Sequence, residues 1–327
     1  MDYNLFKKLH QEGLISEESF EQISREEQYP LVSVHWDINT LLGTGVIALS
    51  TGLGILIYKN INTIGHQIIL TLIAGISIVC FMYCARKKSP FSWFKVTSPD
   101  RVFDYVLLLG TLTMLTFTAY LQYQYNVFGT SYGLATFLPM TALFFIAYYF
   151  DHLGVLNLAI VNLAVWLGVS VTPKQLLIAS NYNSETIIYT YLFLGLFLLL
   201  IAFLTTRYRL KPHFKFSYQH YGVHTSFIAQ ISAYFYNNQK GFAFLWLFGV
   251  MLLAFLLYKD ALKHKSFYFL LLALVYSYIA VSCLTELLFS INGNANGTFV
   301  LMIIYVPFSI GVFIYLLKQL SHKIKVA

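Results

Sequence analysis

From Tyr105 to Phe150 the chain runs for 46 residues without a Lys, Arg, Asp or Glu, interrupted only by the polar stretch QYQYN at 122–126. A transmembrane helix takes roughly 20 apolar residues, so two of them fit into this run around one turn. A water-soluble domain has no use for such a segment, because its helices need a polar face toward solvent. Further uncharged windows run from Ile38 to Tyr58, Ile61 to Ala85, His152 to Pro173, Thr186 to Thr206, Phe216 to Gln239, Gly241 to Tyr258, Ser266 to Thr285 and Leu287 to Leu317. Charged residues make up 11% of the sequence, against roughly 25% in ordinary soluble proteins. The fold class that follows is all-α: a polytopic transmembrane helical bundle of about ten spans with a short N-terminal cytoplasmic helical hairpin.

The hairpin is expected within residues 1–36 and the transmembrane domain within 37–327. Leu5, Phe6 and Leu9 recur at helical spacing, Gly13 suits a C′ position, and Ser16 suits the cap of a second helix that opens on Glu17 and Glu18. Phe20 and Ile23 then face Leu5 and Leu9, Pro30 closes the unit, and Trp36 suits a membrane interface. The spacing predicts spans over 39–58, 62–84, 103–122, 127–149, 152–170, 184–206, 222–237, 241–258, 266–289 and 298–318. The seventh is the weakest by hydropathy, since YGVHTSFIAQISAYFYNN is short and carries His224 and Gln230.

Lys and Arg in short loops accumulate on the cytoplasmic side, which arbitrates the count. Ten spans with a cytoplasmic amino terminus put 15 bases inside after residue 37 and leave Lys59, Lys174 and Lys240 outside. Nine spans give 10 against 8. Ten spans are therefore expected, with both termini cytoplasmic. The first 37 residues hold eight acids and three bases, so the formal charge of +7 conceals a basic remainder. Its bases sit between apolar spans and read as topology and contact with anionic lipid. The partners expected are the lipid bilayer and a membrane-protein or cytoplasmic partner for the hairpin, with no nucleic acid. Cys80, Cys84 and Cys283 fall in spans, where they act as small packing residues. The acidic, helical amino terminus does not resemble a cleavable signal peptide.

Within the first span, Thr44, Ala48 and Gly52 share one face, and Ser50 with Gly54 forms a second small pair. Such faces let helix backbones approach closely in lipid, so they are expected to mediate helix packing. The same region, LLGTGVIALSTGLGILIYKNINTIGH, preceded by LFKKLHQEGLISEESFEQI, resembles the domain-of-unknown-function 2157 family of predicted bacterial membrane proteins. FDHLGVLNLAIVNLAVWLGVSVTP and KSFYFLLLALVYSYIAVS resemble blocks of its longer, Bacteroidetes-type members. The resemblance implies a polytopic inner-membrane protein and supplies no catalytic residues.

Ionisable residues inside a bilayer are costly, so each is a functional candidate. Asp104 falls in the first turn of the third span, Asp151 and His152 form the turn between spans four and five, Glu286 lies near the outer end of span nine, and His66 near the outer start of span two. All five lie near an interface, leaving a midplane of polar but uncharged groups such as Asn162 and Gln230. Asn162, Gln230, Asp104, Asp151 and His152 are accordingly the substrate-binding candidates, with a helix-cap role favoured for Asp151 and His152. That distribution disfavours an ion-coupled pump and suits an uncharged or amphipathic partner. His220 and His224 stand at i, i+4 with His213 upstream, but no further ligand lies nearby, so interfacial histidines are expected and no metal site.

Gly129, Ser131 and Gly133 spell G-x-S-x-G, a pattern that exposes a nucleophilic serine in soluble hydrolases. The topology puts Ser131, His66 and Glu286 on one side, which defines a catalytic alternative: a periplasm-facing hydrolase or acyltransferase. No phosphate loop, H-E-x-x-H, C-x-x-C or dinucleotide fingerprint is present, and no cofactor is expected. The leading expectation is a non-catalytic transport, sensing or assembly component. A structural or interaction protein of a membrane complex is the third reading.

Overall fold

The computed structural model describes residues 8–10, 12–17, 19–20, 35–129, 132–171, 185–237, 242–292 and 295–326. Among them are ten long α-helices and no strand: α1 (His35–Ile64), α2 (His66–Lys87), α3 (Arg101–Tyr125), α4 (Tyr132–Phe150), α5 (Leu153–Val171), α6 (Glu185–Arg207), α7 (Lys215–Tyr236), α8 (Phe244–Lys263), α9 (Phe267–Asn292) and α10 (Ala295–Val326). A single 3₁₀ turn, Pro212–Phe214, precedes α7. Nine of the ten helices are long and apolar enough to cross a membrane; α7 is the tenth. The chain divides into two compact units, Met1–Gly65 and His66–Ala327.

In the first unit Gly13 takes φ +69, the left-handed conformation of a helix-ending residue, and Ser16 Oγ accepts from the Ser19 N–H at 3.3 Å. His10 stacks on Phe20 with ring centroids 4.4 Å apart. Leu5, Phe6, Glu18, Ile23 and Pro30 lie outside the described residues. Along α1, Thr44, Ala48, Gly52 and Gly54 are exposed and Ser50 is half-buried. A Cβ added at Gly52 or Gly54 would meet nothing within 4 Å. Gly65, at φ +84, ends the helix.

In the second unit several sequential helices pair, α2 with α3, α4 with α5, α6 with α7 and α8 with α9. Asp100 caps α3 by accepting from the Phe103 N–H at 2.6 Å, and Asn126 ends it at φ 48. Asp151 ends α4 at φ 58, and His152 Nδ1 then accepts from the Val155 N–H at 3.1 Å to open α5. His152 thus takes the cap position, while Asp151 supplies the turn and its carboxylate is engaged by Val96, Lys211 and His213. Hydroxyls on α3 satisfy themselves on its own backbone, as Thr111 does on the Leu107 carbonyl at 2.7 Å, so they sit among apolar neighbours without an unmade hydrogen bond.

Two hydrophobic clusters fill the unit. One gathers α2 to α6 around Leu107, Leu143, Leu156 and Leu198, and the other gathers α8 and α9 around Leu247, Val250 and Leu270. Helix α7 belongs to both: Tyr218 sits in the first, Val223, Phe227 and Tyr234 in the second. It is longer than the expected 222–237, because KFSYQHY continues the helix seven residues upstream. Ser217, Tyr218 and Gln219 in that extension are buried. A helix with half of its residues buried against other helices needs a smaller apolar exterior, and this accounts for its low hydropathy.

Helices α6 and α7 meet backbone to backbone. A Cβ at Gly195 would lie 2.3 Å from Ser226 Oγ and 2.6 Å from the Ser226 backbone nitrogen, and one at Gly222 would lie 3.0 Å from the Gly195 carbonyl oxygen. Gly195 is near the middle of α6, and Gly222 and Ser226 flank the middle of α7. The polar helix therefore crosses an apolar one at mid-length, as small-residue crossings allow.

Candidate functional site: a groove beside the polar central helix

The buried face of α7 turns its polar side chains onto specific neighbours. Tyr218 reaches α4, its hydroxyl 3.0 Å from the Tyr148 hydroxyl. His220 and His224 reach α9 and complete an unbroken chain of hydrogen-bond contacts. Tyr276 OH lies 2.8 Å from His224 Nδ1, His224 Nε2 lies 3.3 Å from Tyr268 OH, and Tyr268 OH lies 2.6 Å from His220 Nδ1. Three of the four imidazole nitrogens thus meet tyrosine hydroxyls. The two histidines are polar links between α7 and α9. Among the described residues no group of three or more His, Cys, Asp or Glu is placed to hold a metal ion.

On its remaining side α7 floors a groove whose walls are α6 and α8. Two cavities follow one another along it. The first, about 580 Å³, runs between Tyr189, Leu192 and Leu196 of α6 and Trp246, Gly249 and Leu253 of α8, over Gln230 and Asn237 of α7. The second, about 670 Å³, runs between Leu199, Phe203 and Arg207 of α6 and Leu257, Asp260 and Lys263 of α8, over Lys215, Gln219 and Val223 of α7. Leu253 and Leu256 line both. Each volume lies within the range of small-molecule sites, about 300–1,000 Å³. Gly249 makes room for the floor: a Cβ there would lie 2.5 Å from Gln230 Oε1.

Charge is distributed unevenly along the groove. Its first half contains one ionisable carboxylate, Glu185, at the far rim. Its second half ends in Arg207, Arg209, Lys215 and Lys263, with Asp260 as the one acid. Asp260 is held by Gln219 Nε2 at 2.8 Å, Lys215 Nζ at 3.4 Å and His264 Nδ1 at 3.2 Å. Among the described residues Arg207, Arg209 and Lys263 enter no ion pair, so the rim keeps a net positive character.

A second polar cluster lies at the ends of α4 and α6. Asp151 Oδ1 is 2.9 Å from Lys211 Nζ and 2.8 Å from His213 Nε2, and Oδ2 accepts from the Val96 N–H. The Lys211 and Asp151 side chains are 1% and 3% exposed. The Lys211 backbone N–H donates to the Trp93 carbonyl at 2.8 Å, so the 88–100 loop is fastened to both helix ends. Burial lowers the readiness of His213 to take a proton below the usual histidine range; Asp151 opposes this, and Lys211 and Lys95 reinforce it. His213 is then neutral and donates Nε2–H to Asp151, which Lys211 already balances. His152 is shifted the same way, again chiefly by burial, although Asp104 lies 3.7 Å from its Nε2.

The residues singled out from sequence are distributed as follows. Gln230 floors the groove, while Asn162 bonds the Leu158 carbonyl of its own helix at 3.1 Å. Asp104 accepts from Ser98 Oγ at 2.6 Å at the start of α3. His66 Nδ1 is 2.7 Å from Tyr120 OH on α3, and Glu286 is exposed on α9; among the described residues no hydrogen bond or ion pair joins the two. Ser131 lies outside the described residues. Sequence reasoning missed Lys211 and His213 as partners of Asp151, the tyrosines opposite His220 and His224, and the groove itself. The basic string RYRLKPHFK at 207–215 was the available signal for two of these, but in sequence it reads only as topology.

A family model described as "Predicted membrane protein (DUF2157)" matches residues 7–156. No curated protein and no solved structure matches the chain. The groove lies wholly beyond the matched residues.

Proposed function

We propose, for a chain that belongs to the DUF2157 family of predicted membrane proteins through residues 7–156, a non-catalytic role: binding an amphipathic molecule that reaches the α6–α7–α8 groove sideways from the bilayer. The observation that carries this reading is the pair of successive cavities with apolar walls open to the side. Phe203, Leu252 and Leu256 beside them are 63%, 52% and 55% exposed, as lipid-facing residues are. Such a site serves transport, sensing or assembly, and in each case its occupant enters from the membrane. Helix α7 is the tenth span in this reading. A helix whose middle touches the middle of a crossing helix sits at membrane depth, and its polar groups are satisfied by protein. The basic loops then fall on one side, so both termini are cytoplasmic in a bacterial inner membrane. The N-terminal segment, in the same reading, engages a membrane-protein or cytoplasmic partner.

The test is photo-crosslinking of the full chain in proteoliposomes with a lipid carrying a diazirine in its acyl chain, followed by peptide mapping. Adducts are expected to concentrate on Leu196, Leu199 and Leu253 over outward residues such as Phe308. Even labelling of both groups would remove the groove reading.

A further inference from the structure

We propose that the occupant of the basic half of this groove is an anionic glycerophospholipid, with its phosphate headgroup among Arg207, Arg209 and Lys263 and an acyl chain laid between α6 and α8. This rests on the lateral groove reading and adds the chemical class of its occupant. Three features carry it.

The first is charge. Arg207, Arg209 and Lys263 are exposed, line the cavity and, among the described residues, enter no ion pair. Asp260 does not quench them, because it is occupied by Lys215, Gln219 and His264. Arg is suited to phosphate oxygens through its planar array of donors, and Lys supplies a point charge.

The second is length. From Arg207 back to Leu199 is eight residues of helix, about 12 Å, and to Leu196 about 16 Å. Half of a bilayer's hydrocarbon core is about 15 Å. A chain that starts at the cationic rim thus reaches the gap between Leu196 and Leu253 within one leaflet.

The third is polarity along the groove. The walls beyond the rim are mostly leucine with Tyr189, Trp246 and Gly249, and the next charged group is Glu185 at the opposite end. A soluble dianion would leave those walls bare, and an uncharged hydrocarbon would leave three cations unused. One molecule with a phosphate at one end and an apolar chain at the other satisfies both.

The experiment compares diazirine-bearing phosphatidylglycerol with phosphatidylcholine of identical acyl chains, each doped into proteoliposomes of the full chain, with adducts mapped on α6 and α8. Phosphatidylglycerol is expected to label Leu199 and Leu253 at least about tenfold more than phosphatidylcholine. The preference should vanish in R207Q/R209Q/K263Q and survive in R207K/R209K. Equal labelling of the groove by both lipids overturns the headgroup assignment and leaves the groove reading standing. Groove labelling by neither lipid above that of Phe308 overturns both. Should the neutralised variant fail to fold, Leu253→Trp takes its place: it fills the wall shared by the two cavities with every rim charge intact. Undiminished phosphatidylglycerol labelling of Leu199 in that variant overturns the proposal.

Discussion

The buried Asp151–Lys211–His213 cluster predicts two substitutions with opposite pH behaviour. Lys211 and Asp151 are almost completely enclosed at 1% and 3% exposure, with 2.9 Å between the ammonium nitrogen and Oδ1. Removing one partner of a buried pair strands the other charge and destabilises by about 3–5 kcal/mol. In Asp151→Asn the lysine ammonium is stranded, with the Phe91 ring 5.0 Å from Nζ as its remaining attractive neighbour, and the amide oxygen is a weak substitute. The full range of about 3–5 kcal/mol is expected at every pH between 5 and 8. In Lys211→Met the stranded group is a carboxylate 2.8 Å from His213 Nε2, and that imidazole can take a proton and replace the lost cation.

The sign of the pH dependence follows. In the wild type His213 is held below the ordinary histidine value of about 6.5, so its neutral form is the one the fold prefers. The corresponding stability is present above about pH 6.5 and is lost as pH falls through the lower folded value. In Lys211→Met the unopposed carboxylate raises the folded value above about 6.5. The stabilisation is then present below that pH and lost as pH rises through the folded value. SDS-induced unfolding of the detergent-solubilised full chain at pH 5, 6.5 and 8 reads both. Lys211→Met should be destabilised by about 3–5 kcal/mol at pH 8 and recover on acidification, while the wild type weakens. A loss below about 1 kcal/mol at pH 8, or parallel pH slopes in the two proteins, would refute the reasoning.

Three further outcomes are expected. Gly195→Leu places a Cβ within 2.6 Å of the Ser226 backbone nitrogen and should abolish monodisperse protein on size exclusion, whereas Gly52→Ala, with nothing within 4 Å, should elute unchanged. Tyr268→Phe leaves His220 Nδ1 and His224 Nε2 without the hydroxyl at 2.6 and 3.3 Å and should cost about 1–3 kcal/mol in SDS unfolding; Tyr208→Phe, at an exposed position, is the neutral comparison. Cysteines at Arg209 and Lys240 should be labelled by an impermeant maleimide from opposite faces of the membrane, and labelling from one face would remove α7 from the spans.

What the sequence discloses and what it hides divide along one physical line. Hydropathy reports the solvent a helix faces, and nine helices face lipid or apolar partners over an 18-residue window, so their existence is legible. Helix α7 faces protein, and a window average cannot tell a helix buried by its neighbours from one lying in the headgroups. The loop-charge count supplies the missing distinction because it senses the ends of a helix and not its sides. The site is hidden for a related reason. Asp151 and Lys211 are 60 residues apart in a chain with no local pattern linking them; only the turn that follows α6, folded against the end of α4, brings a lysine that reads as a topology signal onto an aspartate that reads as a cap. The groove is still less visible, since its walls are leucines like any others and its existence depends on where α6 and α8 do not meet. In a soluble protein a cluster of unpaired cations is seldom informative. Here Arg207, Arg209 and Lys263 border an apolar channel of one leaflet's depth, and that juxtaposition, which no window of sequence contains, gives the cations a ligand to select.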